Sequence, residues 1–231
     1  MRTRWTVAAV LVPLSVGAAS FRAATPPPED PVRVVVETEM GTFELEVDVD
    51  RAPVTAANFL RYVDGGFYDG GTFFRTVHAD NQPEDSIRIA VVQGGWNPDT
   101  EAESFPPIPL ERTSETGLRH LDGAVSMARG GPDTATQSFF ICIGDQPSLD
   151  FGGLRNPDGQ GFAAFGRVVA GMDVVLAIHR APYEAQQLTP PLRIVRVYRK
   201  EGPSPEVSAW GWLLEVPVKP YANSKSHFRL A

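Results

Sequence analysis

Apolar residues recur with a period of two over much of the chain, and that alternation lays out a β-rich domain. Val32, Val34 and Val36 lead into a Glu39-Met40-Gly41 turn, after which Phe43, Leu45, Val47 and Val49 alternate with Glu44, Glu46, Asp48 and Asp50. The pattern predicts a hairpin with one face in a core and an acidic face in water. The four acids lie too evenly along one face to converge on a metal, so they are read as a solvated face. At Pro53 the period changes. Ala56, Phe59, Leu60 and Val63 have the i, i+3, i+4, i+7 spacing of an amphipathic helix, which Gly65 and Gly66 end. A helix of this length between antiparallel strands covers an open sheet edge.

Strand periodicity resumes at Thr72 to Val77, where Phe73, Arg75 and Val77 fall on one face and Phe74 on the other. A guanidinium among these apolar residues is conspicuous. From the residues alone it is an arginine whose stem lies along the sheet and whose head pairs with an acid. The polar stretch HADNQPEDS at 78 to 86 reads as a loop, followed by a strand with Ile87, Ile89, Val91 and Gln93 on one face. Once buried, the Gln93 amide needs partners, and a bulge at a sheet rim would supply them from backbone. In GAVSMARGGPDTATQSFFI, residues 123 to 141, Val125 and Met127 alternate with small residues, while Ser138 to Ile143 is almost continuously apolar, as in a strand buried on both faces. Between them Arg129 to Gln137 carries turn chemistry that leaves backbone groups free to pair. An extended peptide lying there would meet Phe140; a long hairpin loop closing a β-sandwich fits the same residues. Leu192 to Tyr198 reads as the last strand.

Composition adds bounds. A chain of 231 residues, 42% hydrophobic, can bury one full core with segments to spare. Arg2 and Arg4 precede an uncharged run from Trp5 to Ala19, with Ala18 and Ser20 as small residues for cleavage, so residues 1 to 20 are read as an export signal. That run is too short and alanine-rich to span a bilayer stably. The organisation expected is a signal at 1–20, a proline-rich linker at 21–31, one domain at 32–200 and an extension at 201–231 containing Trp210, Trp212, Leu213 and Leu214. These last residues are read as packing back on the domain. Removing the signal takes two arginines and no acids, and moves the formal net charge from -7 to -9. Nucleic acid and anionic membranes are poor partners for such a surface. Cys142 is the only cysteine, so an exported monomer has no internal disulfide, and its place in FFICI marks a buried apolar residue. His78, His120, His179 and His227 lack metal-ligand spacing, no phosphate-binding or dinucleotide fingerprint is present, and no cofactor is called for.

Three separated segments, FFR at 73 to 75, QGG at 93 to 95 and LRHLDGAVSMARGGPDTATQSFFI at 118 to 141, together resemble the cyclophilin family of peptidyl-prolyl isomerases, especially its exported bacterial members. The resemblance continues through GMDVV at 171 to 175 and covers about Val32 to Arg199. It implies a mainly β fold, a closed eight-stranded antiparallel barrel capped by two α-helices, the second at Met172 to Ile178. It also implies Arg75, Gln93 and Phe140 as catalytic residues. Val91, Leu149 and Phe162 would line the substrate site with Ser138, and the main chain of Ala128 and Arg129 would pair with an extended peptide. The substrates implied are proline-containing unfolded or loop segments of other proteins, met in the periplasm or outside the cell.

Several positions depart from the family pattern. Ala90 and Val91 stand where a Phe and a Met are usual before QGG. Gln137-Ser138 reverses the usual Ser-Gln and moves the amide to the other strand face. Phe162 replaces a His or Tyr at the rim, and FGGLRNPDGQG at 151 to 161 is an insertion, glycine-rich enough for a flexible lip beside the pocket, opposite the loop at 78 to 86. The alternatives are a cyclophilin-like module that binds peptides without catalysis, as a chaperone or scaffold, and a ligand-carrying β-barrel with a deep interior cavity. Finally, Ser148 replaces a Trp that in the family is tied to cyclosporin affinity. Cyclosporin is therefore expected to inhibit this protein weakly; tight, stoichiometric inhibition in a titration would refute that reading.

Overall fold

The computed structural model describes residues 31–95 and 105–200. The expected signal, nearly all of the linker and the extension at 201–231 lie outside the described residues. The elements run β1 (Val32–Thr38), β2 (Gly41–Val47), α1 (Pro53–Asp64), β3 (Thr72–Val77), β4 (Val91–Gly95), α2 (Thr113–Thr116), β5 (Ala124–Met127), β6 (Phe139–Cys142), β7 (Ala163–Ala170), α3 (Met172–His179), β8 (Tyr183–Glu184) and β9 (Gln187–Arg199). Neighbouring strands follow the order β1-β2-β7-β5-β6-β4-β3-β9, and β9 pairs back onto β1. All the pairings are antiparallel, so eight strands close on themselves and leave no lateral edge. The two-residue β8 adds only to β9.

Alternation in β1 and β2 does what the pattern predicts. Val34, Val36, Phe43, Leu45 and Val47 are all but fully buried. The acids between them do not merely face water: Glu44 pairs with Lys200, Glu46 with Arg33 and Arg167, and Asp48 with Arg51. The helix α1 buries Ala56, Phe59, Leu60 and Val63 as its spacing requires, packing against β7 and β9, while α3 packs against β2, β3 and β4. Phe59 reaches into an aromatic cluster, its ring 5.6 Å from Phe139 and 4.9 Å from Phe165. The core is filled with such side chains, and an interior ligand cavity of the carrier-barrel kind is not its plan. The first turn of α1 follows Ala52, which has no capping side chain. Glu111 supplies that function from a distant segment, accepting from Val54 N at 3.1 Å, Thr55 N at 2.7 Å and Thr55 Oγ1 at 2.6 Å.

Several expectations need correction. The strand expected to start at Ile87 starts at Val91. Gln82 replaces its ladder partner, donating to Ile89 O and accepting from Ile89 N, so residues 87 to 90 stay irregular. Phe73 does not share a face with Arg75, because the register shifts between them and Phe74 is the extra residue of a bulge. β5 is buried at all four positions rather than on one side, since a second apolar cluster covers its outer face. A one-turn helix, α2, joins the two expected ones, and α3 runs one residue further, to His179.

The close approach of α3 to β2 is testable at Gly171, the N-cap of α3, which has φ +75° and would place a Cβ 2.6 Å from Thr42 O and 2.8 Å from the Phe43 Cα. Gly159 has a similar φ of +65° but open space around it. Gly159→Ala should cost roughly 1–2 kcal/mol, the left-handed penalty alone. Gly171→Ala should cost about 2 kcal/mol more and lower Tm by about 10 °C in calorimetry. Equal shifts for the two variants would show that the α3–β2 contact is not tight.

Candidate active site

The bulge in β3 decides where the site lies. Phe73 belongs to the main core, but beyond Phe74 the strand has changed faces, and Val77 packs in a separate cluster with Ile89, Val91, Phe140, Cys142 and Leu149. Arg75 then stands opposite Gln93, Gln93 opposite Phe140, and Phe140 opposite Ser126. These four residues form one cross-strand row over β3, β4, β6 and β5, with neighbours about 5 Å apart. The row borders a hollow of about 200 Å³ lined by Arg75, Val91, Gln93, Phe140, Leu149 and Phe162, together with Ile89, Ala128, Arg129, Arg155 and Asn156. A larger hollow, about 420 Å³, lies elsewhere beside Glu46 and Arg167, and contains none of the predicted site residues. Its Asp48, Arg51, Glu46 and Arg167 are occupied with one another.

The Arg75 guanidinium is held by neutral groups. Nη1 donates to Gln93 Oε1 at 3.0 Å, and Nε and Nη2 donate to Gln186 Oε1 at 3.0 and 2.6 Å. Gln186 is itself fixed by donating to Asn81 O at 3.0 Å. Among the described residues no carboxylate lies within ion-pair distance of Arg75, so the salt link suggested by its residue type alone does not form. Burial lowers its pKa from the ordinary arginine value, with the nearby Arg155 charge acting in the same direction and Asp85 opposing. The cation therefore sits partly desolvated, with its charge left uncompensated by a direct partner.

Phe140 forms the apolar floor and is 5% exposed. Phe162 meets it edge-on with the centroids 5.4 Å apart, and Leu149 and Val91 complete the walls. Beneath the floor, the fully buried His120 lies nearly parallel to Phe140, centroids 6.0 Å apart. His120 Nε2 is 3.0 Å from Ser126 Oγ and its Nδ1 is 2.7 Å from Asp150 Oδ1. Although burial pushes the Asp150 carboxyl up, its bonds to His120 hold it below the usual range. This has the connectivity of a hydrolase triad, but His120 and Ser126 are inaccessible to any substrate. Its consequence is mechanical: it ties Asp150, and with it Leu149, to the strand behind Phe140. As expected for its sequence context, Cys142 is buried in the same cluster, and burial pushes its thiol pKa up.

All the residues expected at the site line this hollow except Ser138, whose carbonyl accepts from Ala128 N at 2.8 Å across the β5–β6 hairpin. The Ala128 N–H is thereby spent inside the protein, and only its carbonyl is left for a bound chain. The Arg129 side chain is likewise engaged, with a bidentate pair to Asp158 at 2.7 and 2.9 Å and bonds to Gly161 O. The insertion is accordingly fastened rather than a loose lip: Phe151 N donates to Thr113 Oγ1 and Arg155 N to Ser148 O. Sequence reasoning missed Gln186, Ile89, Arg155 and Asn156. Gln186 lies in a β-turn more than a hundred residues from Arg75, and nothing local marks it.

A closed antiparallel barrel whose outer wall sets a fixed cation and an amide beside a hollow with an apolar floor has the form of a prolyl-bond isomerase. Residues 33–199 match the cyclophilin type peptidyl-prolyl cis-trans isomerase/CLD family, and the chain belongs to it. It is 36% identical over 181 residues to peptidyl-prolyl cis-trans isomerase A of Dickeya dadantii, a match covering 77% of this chain and 85% of that protein. It is 33% identical to peptidyl-prolyl cis-trans isomerase of Acinetobacter baylyi, covering 72% and 85%. The fold is also that of a solved Cryptosporidium parvum cyclophilin type peptidyl-prolyl cis-trans isomerase, with TM-score 0.61 at 19% identity, covering 75% of this chain and 100% of that one.

Gln186 gives the test of this geometry. Gln186→Ala frees two of the three bonds that orient Arg75, and kcat/KM should fall about tenfold, mostly in kcat, if the guanidinium acts in the transition state. Unchanged kcat in a peptide exchange assay would show that Gln186 does not position it.

Proposed function

We propose that this peptidyl-prolyl isomerase works by holding the twisted imide against Arg75 while Phe140 and its neighbours grip the proline ring. Rotation about a peptide bond meets a barrier of about 18–20 kcal/mol because amide resonance is lost. About a thousand turnovers per second needs roughly 7 kcal/mol removed from that barrier. No nucleophile or base is called for, only tighter binding of the twisted form than of either planar one. At the top of the barrier the prolyl nitrogen becomes pyramidal and regains its lone pair. A fixed donor there acts as an oxyanion-hole donor does, worth roughly 3–4 kcal/mol. The observation that carries the assignment is the row Arg75–Gln93–Phe140, which puts the uncompensated guanidinium directly beside the hollow. Gln93, anchored through Oε1 to Arg75, keeps its NH₂ group for the substrate backbone.

The substrates we infer are X-Pro bonds in unfolded or loop segments of proteins, bound as extended chain along the rim near Ala128 and Arg129. The pattern of residues 1 to 20 supports export to the periplasm or outside the cell, without stable membrane insertion after processing, and the acidic net charge disfavours nucleic acid as a partner. A purely peptide-holding chaperone or scaffold is the rival reading, disfavoured by the retained Arg75, Gln93 and Phe140.

The experiment is NMR exchange on a short Ala-Pro peptide. Wild type should catalyse exchange well above the buffer rate, and Arg75→Ala should lower it about a hundredfold or more with the fold intact by circular dichroism. Wild-type exchange no faster than buffer alone would leave the peptide-holding reading in its place.

A further inference from the structure

We propose that Arg155 is a specificity-determining residue that selects substrates with an acidic residue directly flanking the proline. The inference rests on the isomerase reading and names the substrate class of the same site. Arg155 comes from the insertion at 151–161, and its side chain is 12% exposed where it lines the hollow with Arg75, Phe140 and Leu149. Its backbone N–H is anchored on Ser148 O, just before Leu149, so the guanidinium has a defined origin at the pocket wall.

Its hydrogen bonds are unevenly distributed. Nη1 donates to Ile87 O at 2.8 Å and pairs with Asp85 Oδ2 at 2.9 Å, joining the insertion to the loop after β3. Among the described residues Nε and Nη2 have no partner, so one edge of a planar donor fork is open. A carboxylate matches that edge with two parallel bonds, which a neutral side chain cannot do as well. Asp85 is 42% exposed, so its pairing with Arg155 is screened by solvent and leaves Arg155 available to a better acceptor.

The other cations of the hollow do not compete. Arg129 is saturated by Asp158 and Gly161 O, and Arg75 is assigned to the imide. Because Arg155 and Arg75 line one hollow of about 200 Å³, a side chain that reaches Arg155 while proline occupies Phe140 belongs to an adjacent residue. A carboxylate arriving there also relieves the mutual repulsion of the two guanidiniums, an effect glutamine cannot give.

The test compares peptides with Glu or Gln immediately before or immediately after proline, using NMR line shapes that give Kd and exchange rate separately. Wild type should favour Glu over Gln by about fivefold or more at one of the two positions, and the preference should shrink with added salt. Arg155→Gln should bring the ratio to about one, and Asp85→Asn, which removes the internal competitor, should raise it. A ratio below about two at both positions in wild type overturns the proposal. So does a ratio unchanged in Arg155→Gln, or one that falls equally in Asp85→Asn, since the pair would then be only a clasp between two loops. If no peptide is isomerised, the Glu-to-Gln ratio of Kd still decides the role of Arg155, and the loss of catalysis counts against the isomerase reading alone.

Discussion

The site depends on one irregularity in a regular sheet. In an unbroken β3, Phe73 and Arg75 would point to the same side, and the arginine would either enter the core or expel Phe73 from it. The extra residue at Phe74 resolves this by turning the strand over between them. Phe73 stays in the aromatic core, 5.9 Å from Phe139, while Arg75 reaches the outer wall in line with Gln93 and Phe140. Barrel closure then fixes the spacing, because no strand of the row has an edge along which to slide.

Behind that row the protein is built to resist movement. Phe140 has Phe162 on one side and His120 on another, and His120 is held at both ring nitrogens. Any displacement of the floor would have to break bonds of fully buried polar groups, which is costly. The lips are treated differently. The segments at 78–90 and 151–161 are anchored chiefly by side-chain bonds through Gln82, Asp85, Arg155 and Asp158. Such loops tolerate change in sequence while the barrel beneath keeps the Arg75–Gln93–Phe140 row in place.

Much of this was legible in the sequence because the signals were local. The alternation in β1 and β2, the helical stripe of α1, and the segments FFR, QGG and SFFI each report a face or a strand without knowledge of the rest. What escaped was created by tertiary contact. Ile87 and Ile89 had strand periodicity, but Gln82 satisfies the backbone that a ladder would have used. Phe73 and Arg75 looked coplanar because a bulge leaves no mark in a two-residue period. Gln186 and Glu111 act on partners far away in the chain, and His120 looked like a stray histidine because Asp150 and Ser126 approach it only after folding.

The choice of neutral partners for Arg75 follows from magnitudes. A unit charge about 4 Å from another is worth about 4 kcal/mol at an effective dielectric near 20, and a carboxylate fixed there would cancel most of the field that Arg75 could offer a bound imide in the proposed mechanism. Amide oxygens from Gln93 and Gln186 give comparable orientation with only partial charge, so the guanidinium is aimed without being quenched. Asp85 instead pairs with Arg155 and offsets part of the repulsion that Arg155 exerts on Arg75, while burial is the leading influence on the Arg75 pKa. The cost is a partly desolvated cation in the resting protein. In the proposed mechanism, a substrate whose nitrogen lone pair emerges only midway through rotation would relieve that cost only there, which is the condition for binding the transition state better than either ground state.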